Sequence, residues 1–312
     1  VDPAFAVAVA RAAGQTDGPV AAPDVAGGVN EVTVLGSGAD RVVVRAPRPG
    51  QAVDLDLEAW CMRRAAEHGI GVPEVLWLGE LDGRAAMVQR YVADVGLGRV
   101  PVAERWRLLG ELGRRIAALP LTDAPAGLFS RFGRDLPAAW VAHVDHNLEA
   151  LGPDDPLVGL GVYRAADRAP LRALLTEARD APPSFGLTHG DLSPRNLRVP
   201  AQGGPVLLDW GSATAGPVPT TDLLHLLLRR SEVGDPDDTA LAALAQGWGE
   251  EVDRRDTALS RLVSALDLTR WALEHAPDRV PEQVRVARRL VRRTLGSGSG
   301  SEAESEAAGG RH

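Results

Sequence analysis

The sequence predicts a bilobal α+β fold, and three observations predict it. Between Val20 and Val92, β-branched runs alternate with glycine turns, the mark of short antiparallel strands joined by hairpins. Within that stretch only residues 54–68 repeat apolar side chains at helical spacing. From residue 101 onward the helical period dominates. The expected division is a small sheet-bearing part with one main helix over residues 1–92, an α-rich part over 93–295, and a disordered tail over 296–312.

Taken in order, Phe5-Ala-Val-Ala-Val-Ala10 opens an N-terminal helix. Asp2 precedes it and no basic residue does, so it does not read as a secretory leader. Gly27-Gly28-Val29-Asn30 leads into a strand over 31–35. Gly36-Ser37-Gly38-Ala39-Asp40 turns the chain, and 41–45 runs back, with Arg45 ending that strand. Leu55, Ala59, Met62 and Ala66 stripe one face of a helix over 54–68, stopped by Gly69 and Pro73. Residues 72–78 and 84–92 are two more strands about Leu81-Asp82-Gly83; residues 89–92 link to the α-rich part. Trp106, Leu109, Leu112, Ile116 and Leu119 make 104–119 helical, and 136–151, 169–180, 222–230, 238–248, 253–275 and 281–294 are the further helices. Pro182-Pro183 breaks the pattern ahead of residue 187.

Composition narrows the function. In 312 residues, 45% are hydrophobic, enough for one large core or two ordinary lobes. A net charge of −8 argues against a nucleic-acid-binding surface and is compatible with a cationic ligand. Cys61 is the only cysteine, so neither an intrachain disulfide nor a thiolate-rich zinc site can form, and the cytoplasm is the expected compartment. No apolar run approaches a membrane span.

The chemistry is concentrated in residues 187–213. His189-Gly190-Asp191 is followed by Asn196 five positions on and by Asp209 eighteen positions on. Pro205-Val-Leu-Leu208, after Gly203-Gly204, reads as a hairpin strand that delivers Asp209 beside Asp191 and Asn196. Phosphoryl transfer needs such a set: one carboxylate to take the acceptor hydroxyl's proton, and an amide and a second carboxylate to hold Mg²⁺. Taken singly, each would be an ordinary turn residue. The order of base, Asn at plus five and Asp-x-Gly matches kinase catalytic and metal loops.

His-Gly-Asp and Asp-Trp-Gly in that order resemble the aminoglycoside phosphotransferase family, whose relatives include choline, homoserine and fructosamine kinases. The resemblance implies a protein-kinase-like fold, ATP or GTP with Mg²⁺, and a small-molecule hydroxyl acceptor, a cationic one among the choices, in a monomer or homodimer. It implies Asp191 as the catalytic carboxylate, Asn196 and Asp209 as metal ligands, and His189 as a brace. Gly27 and Gly28 would cover the phosphates, ahead of the rival Gly36-Ser37-Gly38, which sits where a hairpin must reverse. Arg45 would hold the phosphates where protein kinases use lysine, or else be an exposed strand-end arginine. Glu58, at the margin of a buried stripe, needs a cation, and Arg45 is the natural one. Backbone around Gln89 and Tyr91 would read the base. Asp222 is a helix N-cap, a brace for the catalytic loop, or both.

In the resembled family the acceptor binds among helices facing the catalytic Asp. Trp140, His143, Asp145, Asp267, Trp271 and Glu274 are the candidates here, and Asp267, Trp271 and Glu274 would suit a cationic amine. The competing reading of 267–274 is a solvated helix with a core tryptophan. His225 and His275 read as structural. A non-catalytic nucleotide- or ligand-binding protein is the alternative function.

Overall fold

A computed structural model of the chain describes residues 2–15, 19–21, 30–49, 51, 53–95, 99–219, 238–249 and 254–298. Gly27, Gly28, Asp222 and His225 lie outside the described residues. Two compact units form, each continuous in space but not in sequence. The first gathers the described residues of Val1–Leu128, His189–Thr214 and Pro236–Glu250; the second those of Phe129–Thr188, Ala215–Asp235 and Glu251–His312.

In the first unit, helix α1 (Pro3–Ala12) starts at Asp2, whose carboxylate caps Ala4 N–H at 3.1 Å. Strands β1 (Val20–Ala21), β2 (Asn30–Leu35), β3 (Val42–Pro47), β4 (Val75–Leu81) and β5 (Arg84–Arg90) form one antiparallel sheet in the order β1-β2-β3-β5-β4. Strand β3 runs two residues beyond Arg45, because Glu31 and Asn30 of β2 still pair with Ala46 and Pro47. Arg45 is therefore an interior strand residue and is buried. Asp82 and Gly83, both at positive φ, close the β4–β5 hairpin.

The period-2 alternation of β3 decides where Arg45 points. Val42, Val44 and Ala46 share a core with Ala6, Val9 and Ala10 of α1, so Arg45 is carried to the opposite face. Helix α2 (Leu55–Glu67), N-capped by Asp54, brings the fully buried Glu58 to that arginine. Beyond α2, Gly71 O accepts Leu207 N–H at 2.9 Å, docking the hairpin of β7 (Leu197–Arg198) and β8 (Val206–Leu207). A Cβ at Gly71 would lie 2.3 Å from Pro205 O, so only glycine permits that approach. Helices α3 (Val102–Ala117) and α7 (Asp238–Trp248) also belong here and pack on one another.

The second unit holds α4 (Leu136–Ala150), α5 (Pro156–Gly159), α6 (Arg168–Asp180), β6 (Phe185–Thr188), nearly all of β9 (Thr214–Pro217), α8 (Arg254–His275) and α9 (Val280–Gly298). Helix α9 continues through Gly298, past the start of the glycine-serine stretch. The apolar faces of α4, α6, α8 and α9 make one core, with Trp140 Nε1 donating to Ala178 O at 2.8 Å.

A polar knot sits at the edge of that core. Asp155 accepts from Arg270 Nη2 and from the Tyr163 hydroxyl, both at 2.6 Å, and Arg270 Nη1 donates to Asn147 Oδ1 at 2.7 Å. Burial alone would raise the Asp155 carboxyl; the Arg270 and Tyr163 bonds outweigh it and hold it below the usual carboxylate range. Its contribution to stability is thus complete above the unfolded value of about 3.9 and is lost as pH falls through the lower folded value. Asp155→Ala strands the Arg270 charge, and denaturant titration at neutral pH should show a loss of about 3–5 kcal/mol.

Candidate active site

The segment from His189 to Ser212 is fixed before any side chain meets a ligand. His189 is fully buried, with Nε2 at 2.9 Å from Leu208 O and Nδ1 at 3.3 Å from Asp191 N. Those partners assign a neutral ring, Nε2–H donating and Nδ1 accepting. The ring lies edge-on to Trp210, centroids 4.9 Å apart. Both nitrogens are engaged by backbone, and the ring ties the turn at His189–Asp191 to Leu208, the residue that follows β8. Gly190 adopts φ +78, and a Cβ there would come within 2.0 Å of Ser212 O. Gly190→Ala should therefore lower stability by about 2–4 kcal/mol, visible as a fall in Tm.

Asp191 is 3% exposed. Its Oδ2 accepts from Arg195 Nη2 at 2.5 Å and from Asn196 Nδ2 at 3.0 Å, while Asn196 Nδ2 also reaches Asp191 O at 2.9 Å. With Nδ2 spent on Asp191, the Asn196 amide has its oxygen Oδ1, an acceptor, left to offer a ligand. Leu208 N–H donates to Asn196 O at 2.8 Å. Leu208 thus holds His189 by its carbonyl, Asn196 by its amide and Asp209 by the peptide bond, which is how one strand end gathers the predicted set.

Asp209 stands at φ +60 with its side chain half exposed. Arg45 spans two carboxylates: Nη1 meets Glu58 and Nη2 donates to Asp209 Oδ1 at 2.8 Å. Burial opposes the Arg45 charge, but the two carboxylates more than restore it, and its pKa is raised. The expected Arg45–Glu58 pair is therefore present, and the exposed strand-end reading of Arg45 is not. Asn196 and Asp209 supply hard oxygen donors, the chemistry Mg²⁺ prefers, and two such donors leave its other positions to phosphate oxygens and water. Among the described residues no cluster of three His, Cys, Asp or Glu side chains can hold a metal by itself.

Gln89 is buried in β5, its amide against the sulfurs of Met87 (2.9 Å) and Met62 (3.4 Å). Tyr91 donates its backbone N–H to Arg41 O at 3.0 Å, and the Arg41 guanidinium lies 3.8 Å from its ring centroid. That amide is already satisfied within the chain. Two supports escaped sequence reasoning. Arg195 is one. The other is Arg105, fully buried on α3, donating to both Asp94 oxygens (3.2 and 3.1 Å) and to Leu197 O (3.3 Å). Arg105 continues the stripe 109, 112, 116, and a charge on an apolar stripe is the signal that a carboxylate must meet it.

The acceptor candidates all lie in the second unit. Asp267 carries Arg131 Nη2 at 2.7 Å, His143 Nε2 at 3.3 Å and His146 Nε2 at 3.6 Å, with Phe132 stacked on His143 at 4.7 Å. This carboxylate is not waiting for a cationic ligand. Burial alone would raise it, yet the His143 contact and the charges of Arg131 and His146 hold it below its ordinary value. Trp271 is 39% exposed rather than in the core, and its ring stacks on His275 at 5.2 Å. Glu274 is exposed and lies 3.9 Å from the same histidine. Trp140 is core, and Asp145 pairs with Arg179 at 3.0 Å.

Solved structures share this fold. A GDP complex of aminoglycoside 2'-phosphotransferase-IIIa aligns with a TM-score of 0.61 at 17% identity, covering 92% of this chain and 97% of that one. A thermostable mutant of aminoglycoside phosphotransferase APH(4)-Ia, in ternary complex with AMP-PNP and hygromycin B, aligns with 0.60 at 18% identity, covering 91% and 96%. Macrolide 2'-phosphotransferase MphH from Brachybacterium faecium aligns with 0.59 at 19% identity, covering 90% and 96%. No curated protein sequence matches. No helix among the described residues is long and apolar enough to cross a membrane. The model of the APH phosphotransferase enzyme family matches residues 22–262, the stretch that carries both the Arg45–Glu58 pair and the Asp191, Asn196 and Asp209 set, and the chain belongs to that family.

Proposed function

We propose that this chain transfers the γ-phosphoryl group of ATP or GTP to a hydroxyl of a small molecule, aminoglycoside-like or another amino-alcohol or sugar, in the cytoplasm. The observation that carries the reading is the joint anchoring of Asp191, Asn196 and Asp209 at the end of β8, with Arg45 and Glu58 alongside. In this reading residues 1–92 cover the nucleotide and residues 93–295 carry catalysis and the acceptor. Asn196 and Asp209 would hold Mg²⁺, which when bound would supply charge neutralisation for the phosphates. Asp191 orients the acceptor hydroxyl and takes its proton as the phosphorus–oxygen bond to the acceptor forms and that to the β-phosphate breaks. Arg45, braced by Glu58, binds the nucleotide phosphates, with Gly27 and Gly28 over them. His189 and Asp222 brace the loop, backbone near Gln89 and Tyr91 meets the base, and Asp267, Trp271 and Glu274 remain the acceptor-side candidates.

The test is release of ADP or GDP with Mg²⁺ over a panel of aminoglycosides, amino alcohols and sugars. Acceptor-dependent release establishes the reaction; absence of any Mg²⁺–nucleotide binding removes it.

A further inference from the structure

We propose that Arg195 sets the acceptor class: a compound whose reacting hydroxyl is flanked by an anionic oxygen, carboxylate or phosphate, rather than by an ammonium. The inference rests on the phosphotransferase reading and replaces its aminoglycoside-like and amino-alcohol acceptors with hydroxy acids and sugar phosphates.

Arg195 sits four residues after Asp191, in the turn Pro194–Asn196. Its Nη2 donates to Asp191 Oδ2 at 2.5 Å, on the oxygen that also accepts Asn196 Nδ2. The Arg195 side chain is 25% exposed, whereas that of Asp191 is 4% exposed. Whatever brings its hydroxyl to this carboxylate therefore arrives beside the guanidinium. Among the described residues Asp191 alone accepts from that guanidinium, and an arginine has five N–H donors in a planar fork. The remaining donors match two oxygens of a carboxylate or phosphate. An ammonium in the same place would meet a fixed like charge, and the carboxylate that should attract it is already paired. Independently, in the second unit, Asp267 is ringed by Arg131, His143 and His146. In each unit taken by itself, the candidate carboxylate already carries a cation of the chain's own.

The test uses the full chain with Mg²⁺–ATP and Mg²⁺–GTP. The probes are hydroxy acids and sugar phosphates set against uncharged and amino counterparts, glycerate against glycerol and serinol, and kanamycin as a polycation. Nucleoside diphosphate release gives kcat and KM, and calorimetric titration into the Mg²⁺–nucleotide complex gives probe affinity directly. The expected result is tighter binding and lower KM for the anionic member of each set. Arg195→Ala should raise its KM by roughly 10- to 100-fold, the weight of one charge-assisted contact, well beyond the change in KM for the uncharged member. Arg195→Lys should recover part of that loss, and Arg195→Glu should move the preference to the amine.

Kanamycin or serinol as the best acceptor, unmoved by Arg195→Glu, would overturn the proposal. So would equal treatment of the three charge types, or failure of every anionic probe to engage the Mg²⁺–nucleotide complex. A fall in kcat of the same size for all acceptors in Arg195→Ala would assign the guanidinium to the transferred phosphoryl group instead, and also overturns it. Each of these leaves nucleotide binding intact; loss of nucleotide binding in the unmodified chain sinks the underlying phosphotransferase reading.

Discussion

Asp191→Asn is expected to lower acceptor-dependent turnover by roughly 10²- to 10⁴-fold, the scale of a lost general base, while Mg²⁺–nucleotide affinity stays close to that of the unmodified chain. The substitution isolates charge from shape. An asparagine side-chain oxygen can still accept from Arg195 and Asn196, as Asp191 Oδ2 does now, so the turn keeps its geometry. What disappears is the carboxylate proposed to take the hydroxyl proton. Arg195, left without its counter-charge, is a quarter exposed and can rehydrate, so the Tm should move little. Single-turnover transfer measured beside nucleotide titration separates the two quantities. A rate within a few-fold of the original would show that Asp191 is not the base.

Much of this site was legible because its elements are local. The spacing of Asp191, Asn196 and Asp209, the hairpin between them and the stripe of α2 each depend on residues near one another in sequence, where period and turn chemistry operate. The Arg45–Glu58 pair was legible for a different reason: a carboxylate at a buried helix margin demands a cation, and few were within reach. What escaped depends on long-range encounters. Asp267 looked available because nothing near it in sequence neutralises it, whereas its partners Arg131, His143 and His146 come from more than a hundred residues upstream. Trp271 looked like core because tryptophan usually is, and only the packing of α8 leaves it exposed. Arg195 lay in plain view, but whether it reaches Asp191 is decided by the tight turn at Pro194–Asn196 and not by helical or strand period.

Arg45 carries the second large effect, and its identity alone says little, since all 34 basic residues of the chain are arginines. Its geometry says more. One guanidinium nitrogen meets Glu58 and the other Asp209, a span that a planar fork makes and a single ammonium does not. Arg45→Ala should cost about 3–5 kcal/mol, because Glu58 is fully buried and would lose its counter-charge, and nucleotide affinity should fall as well. Stability and binding are then confounded, and Arg45→Ala/Glu58→Gln separates them. With the buried charge removed, much of the stability should return, while nucleotide affinity should stay low because no cation faces the phosphates. Arg45→Lys should fall between: the charge persists, but it can hold Glu58 or Asp209 and not both. Denaturant titration beside nucleotide calorimetry on the three variants reads both quantities. Recovery of nucleotide affinity in the double variant would confine Arg45 to a structural role and leave the phosphates to another part of the chain.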